Sequence, residues 1–226
     1  MVYVFGESYI NADTTVDHGI NRAVELGLVP SRLADIIYSS LPHPASALFL
    51  DSSNRAPASF SHPRGRLFAL FRHPADRAAA SFHYLSTSQD RPVNFPNTIL
   101  DYAVSSFVEN NLMTRLLTDK PKGNLTEADL VMAQEVLRRK CLVGLYDRLA
   151  DSLARFESYF GLPSGTGSCR AGVLEDEQNR RNSFPSLEEG SYTYNLIMTH
   201  NHFDVDIYIY AKQLYNIQVV ADGESR

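Results

Sequence analysis

Lysine is absent from this 226-residue chain until Lys120, and only Lys122, Lys140 and Lys212 follow it. Arginine does not make up the deficit, since 21 basic residues face 26 acidic ones for a formal charge of −5. Phosphate backbones attract proteins with a basic face, so this balance excludes a general nucleic-acid binder and requires any anion site to be local. Cysteine is equally scarce, with Cys141 and Cys169 alone. A chain that is 44% hydrophobic and 11% aromatic can bury a full core without a staple, so no disulfide framework is indicated. One bridge and two free thiols both remain open. No apolar run approaches the roughly 20 residues needed to cross a bilayer. Met1–Gly6 is neither basic nor long enough to be a secretion signal. These absences predict a soluble chain, folded as one domain over residues 1–226.

What is present has an α/β rhythm. Residues 2–5 read as a short β segment, and Thr15 is placed to cap a helix running to Leu28. Residues 31–50 read as a helix or strand followed by a short helix. From Asp51 to Gly65 the composition is that of a loop, and it ends at Arg66-Leu-Phe-Ala-Leu-Phe-Arg72, an apolar run expected to be a buried parallel strand. His73-Pro74 then opens a helix through Leu85. Helices are expected over 97–106, 109–118 and 126–140, a second buried strand over Cys141–Tyr146, and further helices over 147–160 and 202–217. The Asn124-Leu125-Thr126 pattern matches a glycosylation acceptor, but Thr126 with Asp129 three residues on reads as a helix cap. Residues 163–190, rich in Gly, Ser, Asn, Arg and Glu, read as a mobile loop. The Ser164-Gly-Thr-Gly-Ser168 run within it follows a helix and not a strand, so it is read as loop and not as a phosphate cradle.

Charge is concentrated in one place. Residues 55–77 hold five arginines (Arg55, Arg64, Arg66, Arg72, Arg77) against Asp76 alone, a local +4 in a chain of −5. Arg72 falls at the carboxyl end of the first buried strand and just ahead of a helix, where open α/β sheets bind ligands and a helix N-terminus favours negative charge. A guanidinium there can grip a phosphate through two parallel hydrogen bonds. The competing reading is that Arg72 and Arg77 pair with acids such as Asp76 or solvate the helix start.

The segment Arg66–Leu85 resembles the 3′-phosphate-binding segment of the sulfotransferase superfamily, most closely its carbohydrate branch with the heparan sulfate 2-O-sulfotransferases. Further matches follow in the same order: Glu109–Leu117, Cys141–Ser152 and Asn201–Ala211. The resemblance covers roughly residues 60–162 and, more loosely, the last helix. It implies a P-loop-like parallel sheet flanked by helices, with a helix-rich C-terminal half. It also implies 3′-phosphoadenosine 5′-phosphosulfate (PAPS) as co-substrate with no metal, a carbohydrate or other hydroxyl acceptor, and the Golgi lumen. Arg72 matches the arginine that contacts the 3′-phosphate. The family serine falls where this chain has Ala80, whereas Ser81 is one residue on, a rotation of about 100° along a helix. Cofactor contact by Arg72 and Ser81 is the expectation.

The family also grips the 5′-phosphosulfate through a Lys-x-Gly-Thr loop near its first strand, and this chain has none. Loss of an N-terminal strand and loop is the favoured explanation. The alternatives are a non-catalytic nucleotide- or glycan-binding relative and a different segment of the chain that does the loop's work. A P-loop kinase reading is disfavoured because no Gly-x-x-x-x-Gly-Lys-Ser/Thr occurs. For a general base, His62, His43 and Glu7 are candidates without a spacing that selects one. Asn111, Met113, Thr114 and Arg115 share one expected helix, where a structural role is favoured because Leu112, Met113 and Leu116 mark a packed face.

Overall fold

The computed structural model describes residues 2–4, 7–9, 12–31, 33, 37–49, 67–89, 91–161, 168–183 and 186–224. Its fold is mixed α/β and mostly helical. Strands β1 (Val2–Val4) and β2 (Glu7–Tyr9) pair antiparallel as a ladder of their own. Helices α1 (Asp17–Glu25) and α2 (Pro42–Ser46) follow, and with a 3-10 turn at Ala47–Phe49 they enclose a satellite core of Ile20, Ala23, Leu28, Ala45 and Leu48. Val16, not Thr15, is the residue preceding α1, because the Thr15 N–H and hydroxyl both donate to the Asp13 carboxylate and hold Thr15 in a turn.

The centre of the molecule is a two-stranded parallel sheet of β3 (Leu67–Phe71) and β4 (Cys141–Leu145), in register from Leu67↔Cys141 to Phe71↔Leu145. Between them the chain runs through α3 (Pro74–Thr87), α4 (Ile99–Val104), α5 (Leu112–Thr118) and α6 (Glu127–Lys140). After β4 come a 3-10 turn at Tyr146–Arg148, then α7 (Leu149–Phe160), α8 (Ser168–Ser183), α9 (Tyr192–His200) and α10 (His202–Glu224). The main core joins the sheet to α6 and α10, with Phe203, Ile207, Ala211 and Leu214 forming the helix stripe that meets Leu137, Val143 and Leu145. Each such aliphatic side chain taken out of water contributes about 1.5–3 kcal/mol. Phe82, Phe95, Tyr102 and Ile197 build a second cluster under α3, α4 and α9.

All five residues of β4 are buried, whereas Phe68 and Leu70 on one face of β3 are about two-fifths exposed. The opposite face of β3 turns toward α6 and α10. Helix α7 presses so closely on β4 that a Cβ on Gly144 would stand 2.5 Å from Phe156 Cζ and 2.9 Å from Leu70 Cδ2. The outer edge of β4 is closed by side chains. Gln218 accepts from the Val143 N–H at 3.0 Å and donates to the Cys141 carbonyl at 2.9 Å. Ser152 Oγ accepts from the Leu145 N–H at 2.9 Å, and Arg155 donates to the Val143 carbonyl at 3.2 Å.

Residues 168–183 form a helix, which corrects the expectation of a mobile loop over 163–190. The segment is rich in helix formers (Leu174, Glu175, Glu177, Gln178) but has no apolar period, because it is attached through polar groups. Arg170 donates at 3.0 Å to both Glu157 and the Ala150 carbonyl. The Gly-rich run before it, like the arginines at 55, 64 and 66 and His62, lies outside the described residues. Among the described residues no helix is long and apolar enough to cross a membrane.

Candidate functional site

The parallel register that ends at Phe71↔Leu145 puts the next two residues, Arg72 and Tyr146, side by side at the carboxyl edge of the sheet. Pro74 at the first position of α3 starts the helix directly after the strand, with His73 in an extended conformation between them. The Arg72 guanidinium lies over the Tyr146 ring, 4.5 Å from its centroid. The Tyr146 hydroxyl in turn donates to Glu177 on α8. His73 is set between two aromatic rings, stacked on Tyr194 at 6.2 Å and edge-on to Tyr208 at 5.4 Å. Burial, then the carboxylates of Asp147 and Asp76, push the Tyr208 hydroxyl up to about 12, so it stays protonated. A planar cation, three carboxylates and several phenols thus meet at the edge where parallel sheets take ligands.

A second polar cluster lies deeper, around Arg77. Its Nε donates to Glu109 at 2.5 Å and an Nη to Asp204 at 2.8 Å. Asp204 is fully buried and also accepts from the Met113 N–H (2.9 Å), the Thr114 N–H (2.8 Å) and the Thr114 hydroxyl (2.8 Å). Four donors fill the acceptor positions of a carboxylate, so Asp204 is committed to the interior network. Asn111, held in the left-handed region at φ 51°, returns the favour by accepting from the Phe203 and Asp204 N–H groups. The two helix N-termini, α5 and α10, therefore cap each other. Asn201 joins them by accepting from the Asn111 N–H and donating to the Glu109 and Ile197 carbonyls. Burial alone would lower the Arg77 pKa, but Glu109 and Asp204 outweigh it and hold the guanidinium above its ordinary value.

The residues singled out in the sequence divide between these clusters. Arg72 belongs to the sheet edge. Ser81 donates to Glu109 at 2.7 Å and so shares its network with Arg77, one helical turn away. Ala80 is half-buried on α3. His43 is bonded through Nε2 to the Leu117 carbonyl at 2.5 Å and ties α2 to the end of α5. Glu7 lies on β2, and its side chain, like His62, is outside the described residues. Arg115 holds the loop ahead of α6 through the Asn110, Lys120 and Gly123 carbonyls. Thr126 donates its N–H to Asp129 at 2.7 Å, the reciprocal half of a capping box. Cys141 is a buried free thiol whose burial pushes its pKa up to about 12, which leaves it unreactive. Among the described residues no group of His, Cys, Asp and Glu is arranged to hold a metal.

Tyr146 and Glu177 escaped sequence reasoning. Tyr146 ends an apolar run and reads as strand, while Glu177 sits in a segment with no period. Asn111 and Asp204 carried a usable signal, since each falls within the first turn or cap of an expected helix. Comparison with protein-family models, curated proteins and solved structures finds no match.

Proposed function

We propose that this chain is built on the sulfotransferase plan and binds the 3′-phosphate of an adenylyl nucleotide at Arg72, with PAPS as sulfuryl donor and a carbohydrate-type hydroxyl as acceptor. The observation that carries the reading is the placement of Arg72, at the carboxyl end of a parallel strand and one residue from the helix-opening His73-Pro74. The Arg72 guanidinium lies over the Tyr146 ring, and a guanidinium's N–H donors lie in one plane suited to bidentate phosphate recognition. In this reading β3 and β4 are the central strands of a P-loop-like sheet. In the transfer, the acceptor oxygen bonds to sulfur, the bond from sulfur to the bridging phosphate oxygen breaks, and adenosine 3′,5′-bisphosphate leaves. The acceptor proton passes to a base for which the described residues offer no selected candidate. A Golgi location follows from the same reading.

A second reading, a nucleotide- or glycan-binding relative without catalysis, is favoured by two observations. No lysine stands on a Gly-Thr loop. Ser81, the second expected phosphate ligand, is engaged by Glu109.

Calorimetric titration with adenosine 3′,5′-bisphosphate and with adenosine 5′-monophosphate tests the common core of both. Micromolar binding that is lost without the 3′-phosphate, or in Arg72→Ala, is the expected result. Equal binding of both nucleotides, or of neither, refutes the assignment. Sulfuryl transfer from PAPS to a polysaccharide then separates the enzyme from the binding relative.

A further inference from the structure

We propose that Glu177 is a positioning residue for the Arg72 anion site, acting through Tyr146; this rests on the nucleotide reading of Arg72. The Arg72 guanidinium is planar and all its N–H donors lie in that plane, so the direction in which it grips a phosphate is set by whatever fixes the plane. The Tyr146 ring lies against it, with the guanidinium carbon 4.5 Å from the ring centroid. Tyr146 stands in a single 3-10 turn directly after β4, and its ring is only half-buried, so backbone position alone does not fix its rotation. Its far end is held instead by the hydroxyl, which donates to the Glu177 carboxylate.

Glu177 is 8% exposed, while its neighbours Glu175, Asp176 and Gln178 are exposed, so it is the acid of that turn directed inward. A carboxylate is costly to bury without a donor, and the phenol supplies one. Donation to an anion also raises electron density on the ring, which strengthens its attraction for the cation above it. Helix α8 is itself fixed at the other end by Arg170, bonded to Glu157 and to the Ala150 carbonyl. The chain of contacts runs from α7 through α8 to Tyr146 and ends on Arg72.

The test titrates adenosine 3′,5′-bisphosphate and adenosine 5′-monophosphate into the wild type, Glu177→Ala, Glu177→Gln and Tyr146→Leu, with thermal midpoints recorded for each. Loss of one positioning hydrogen bond is expected to weaken bisphosphate binding in Glu177→Ala about five- to tenfold. Adenosine 5′-monophosphate, which lacks the 3′-phosphate, is the negative control and should bind none of the variants measurably. Glu177→Gln, whose amide oxygen can accept the same bond, should restore most of the affinity, and Tyr146→Leu should lose at least as much as Glu177→Ala. A parallel readout is the Arg72 side-chain N–H proton resonance, displaced upfield by the ring in the wild type and returned to its ordinary position in Tyr146→Leu. Wild-type selectivity with unchanged Glu177→Ala affinity overturns the positioning role alone, as does a Glu177→Gln affinity no higher than that of Glu177→Ala. Absence of wild-type binding overturns the nucleotide reading and the positioning role with it.

Discussion

Arg72 and Arg77 flank the start of one helix, yet their surroundings give them opposite capacities. Arg77 is gripped edge-on by two carboxylates, Glu109 and Asp204, and its side chain is 16% exposed. Arg72 lies over the Tyr146 ring, 4.5 Å from its centroid. Two carboxylates commit Arg77 to the interior network, whereas Arg72 is placed beside an aromatic ring at the carboxyl edge of the parallel sheet. Charge of one sign, clustered in the sequence, thus separates into a structural member and a candidate ligand-binding one, and the difference lies in the partners the fold brings to each cation.

The sharpest way to break this comparison is to remove each arginine in turn. Arg77→Ala leaves Glu109 and the fully buried Asp204 without their counter-charge, a loss of about 3–5 kcal/mol. Urea unfolding should show a large fall in midpoint or no folded baseline. Arg72→Ala should fold with a much smaller shift. A comparable loss in the two variants would make Arg72 structural too.

A middle-sized effect is expected at Asn111, which caps α10 from a left-handed backbone position. Asn111→Gly keeps the conformation accessible but deprives the Phe203 and Asp204 N–H groups of their acceptor, costing about 1–3 kcal/mol. Asn111→Ala adds backbone strain and should cost more. If the two variants unfold at the same denaturant concentration, strain contributes nothing and the cap alone matters.

The smallest effect concerns alkaline pH. Burial first, then Glu109, push the Tyr102 hydroxyl beside the Arg77 cluster up to about 12, and burial with Asp147 and Asp76 does the same to Tyr208 at the sheet edge. Both groups keep their protons longer in the folded state than in the unfolded one, where tyrosine titrates near 10. Stability from each is therefore full below about pH 10 and lost as pH rises toward about 12. Tyr102→Phe and Tyr208→Phe should each flatten that decline in a pH series of thermal midpoints. A decline as steep as in the wild type would place the loss elsewhere.

Much of the backbone was legible because its signals are local. The run Leu67–Phe71 between arginines, Pro74 after it, the Thr126–Asp129 cap and the apolar stripe of α10 each come close to their expected bounds. Helix α8 was not legible, since periodicity detects helices that bury an apolar face and α8 is held by Arg170 and Glu177. The same limit applied to the site. Arg72 could be found from its place between strand and proline, but its partner Tyr146 is distant in sequence and meets it only through the parallel register. Asp204 read as part of an amphipathic helix, and nothing local announced that it would close on Thr114.

The side chains along β4 have a consequence for association. A strand at the margin of a sheet offers a row of backbone groups that can template pairing with another polypeptide. Gln218, Arg155 and Ser152 occupy that row from Cys141 to Leu145, in place of the lysines or prolines that often guard such margins. Gln218 lies toward the C-terminal end of α10, so its share of the guard forms only when that helix has docked, while Ser152 and Arg155 supply theirs from α7. Without α10 in place the Val143 N–H and the Cys141 carbonyl would lose their partner, so part of the protection against strand-to-strand aggregation depends on that helix.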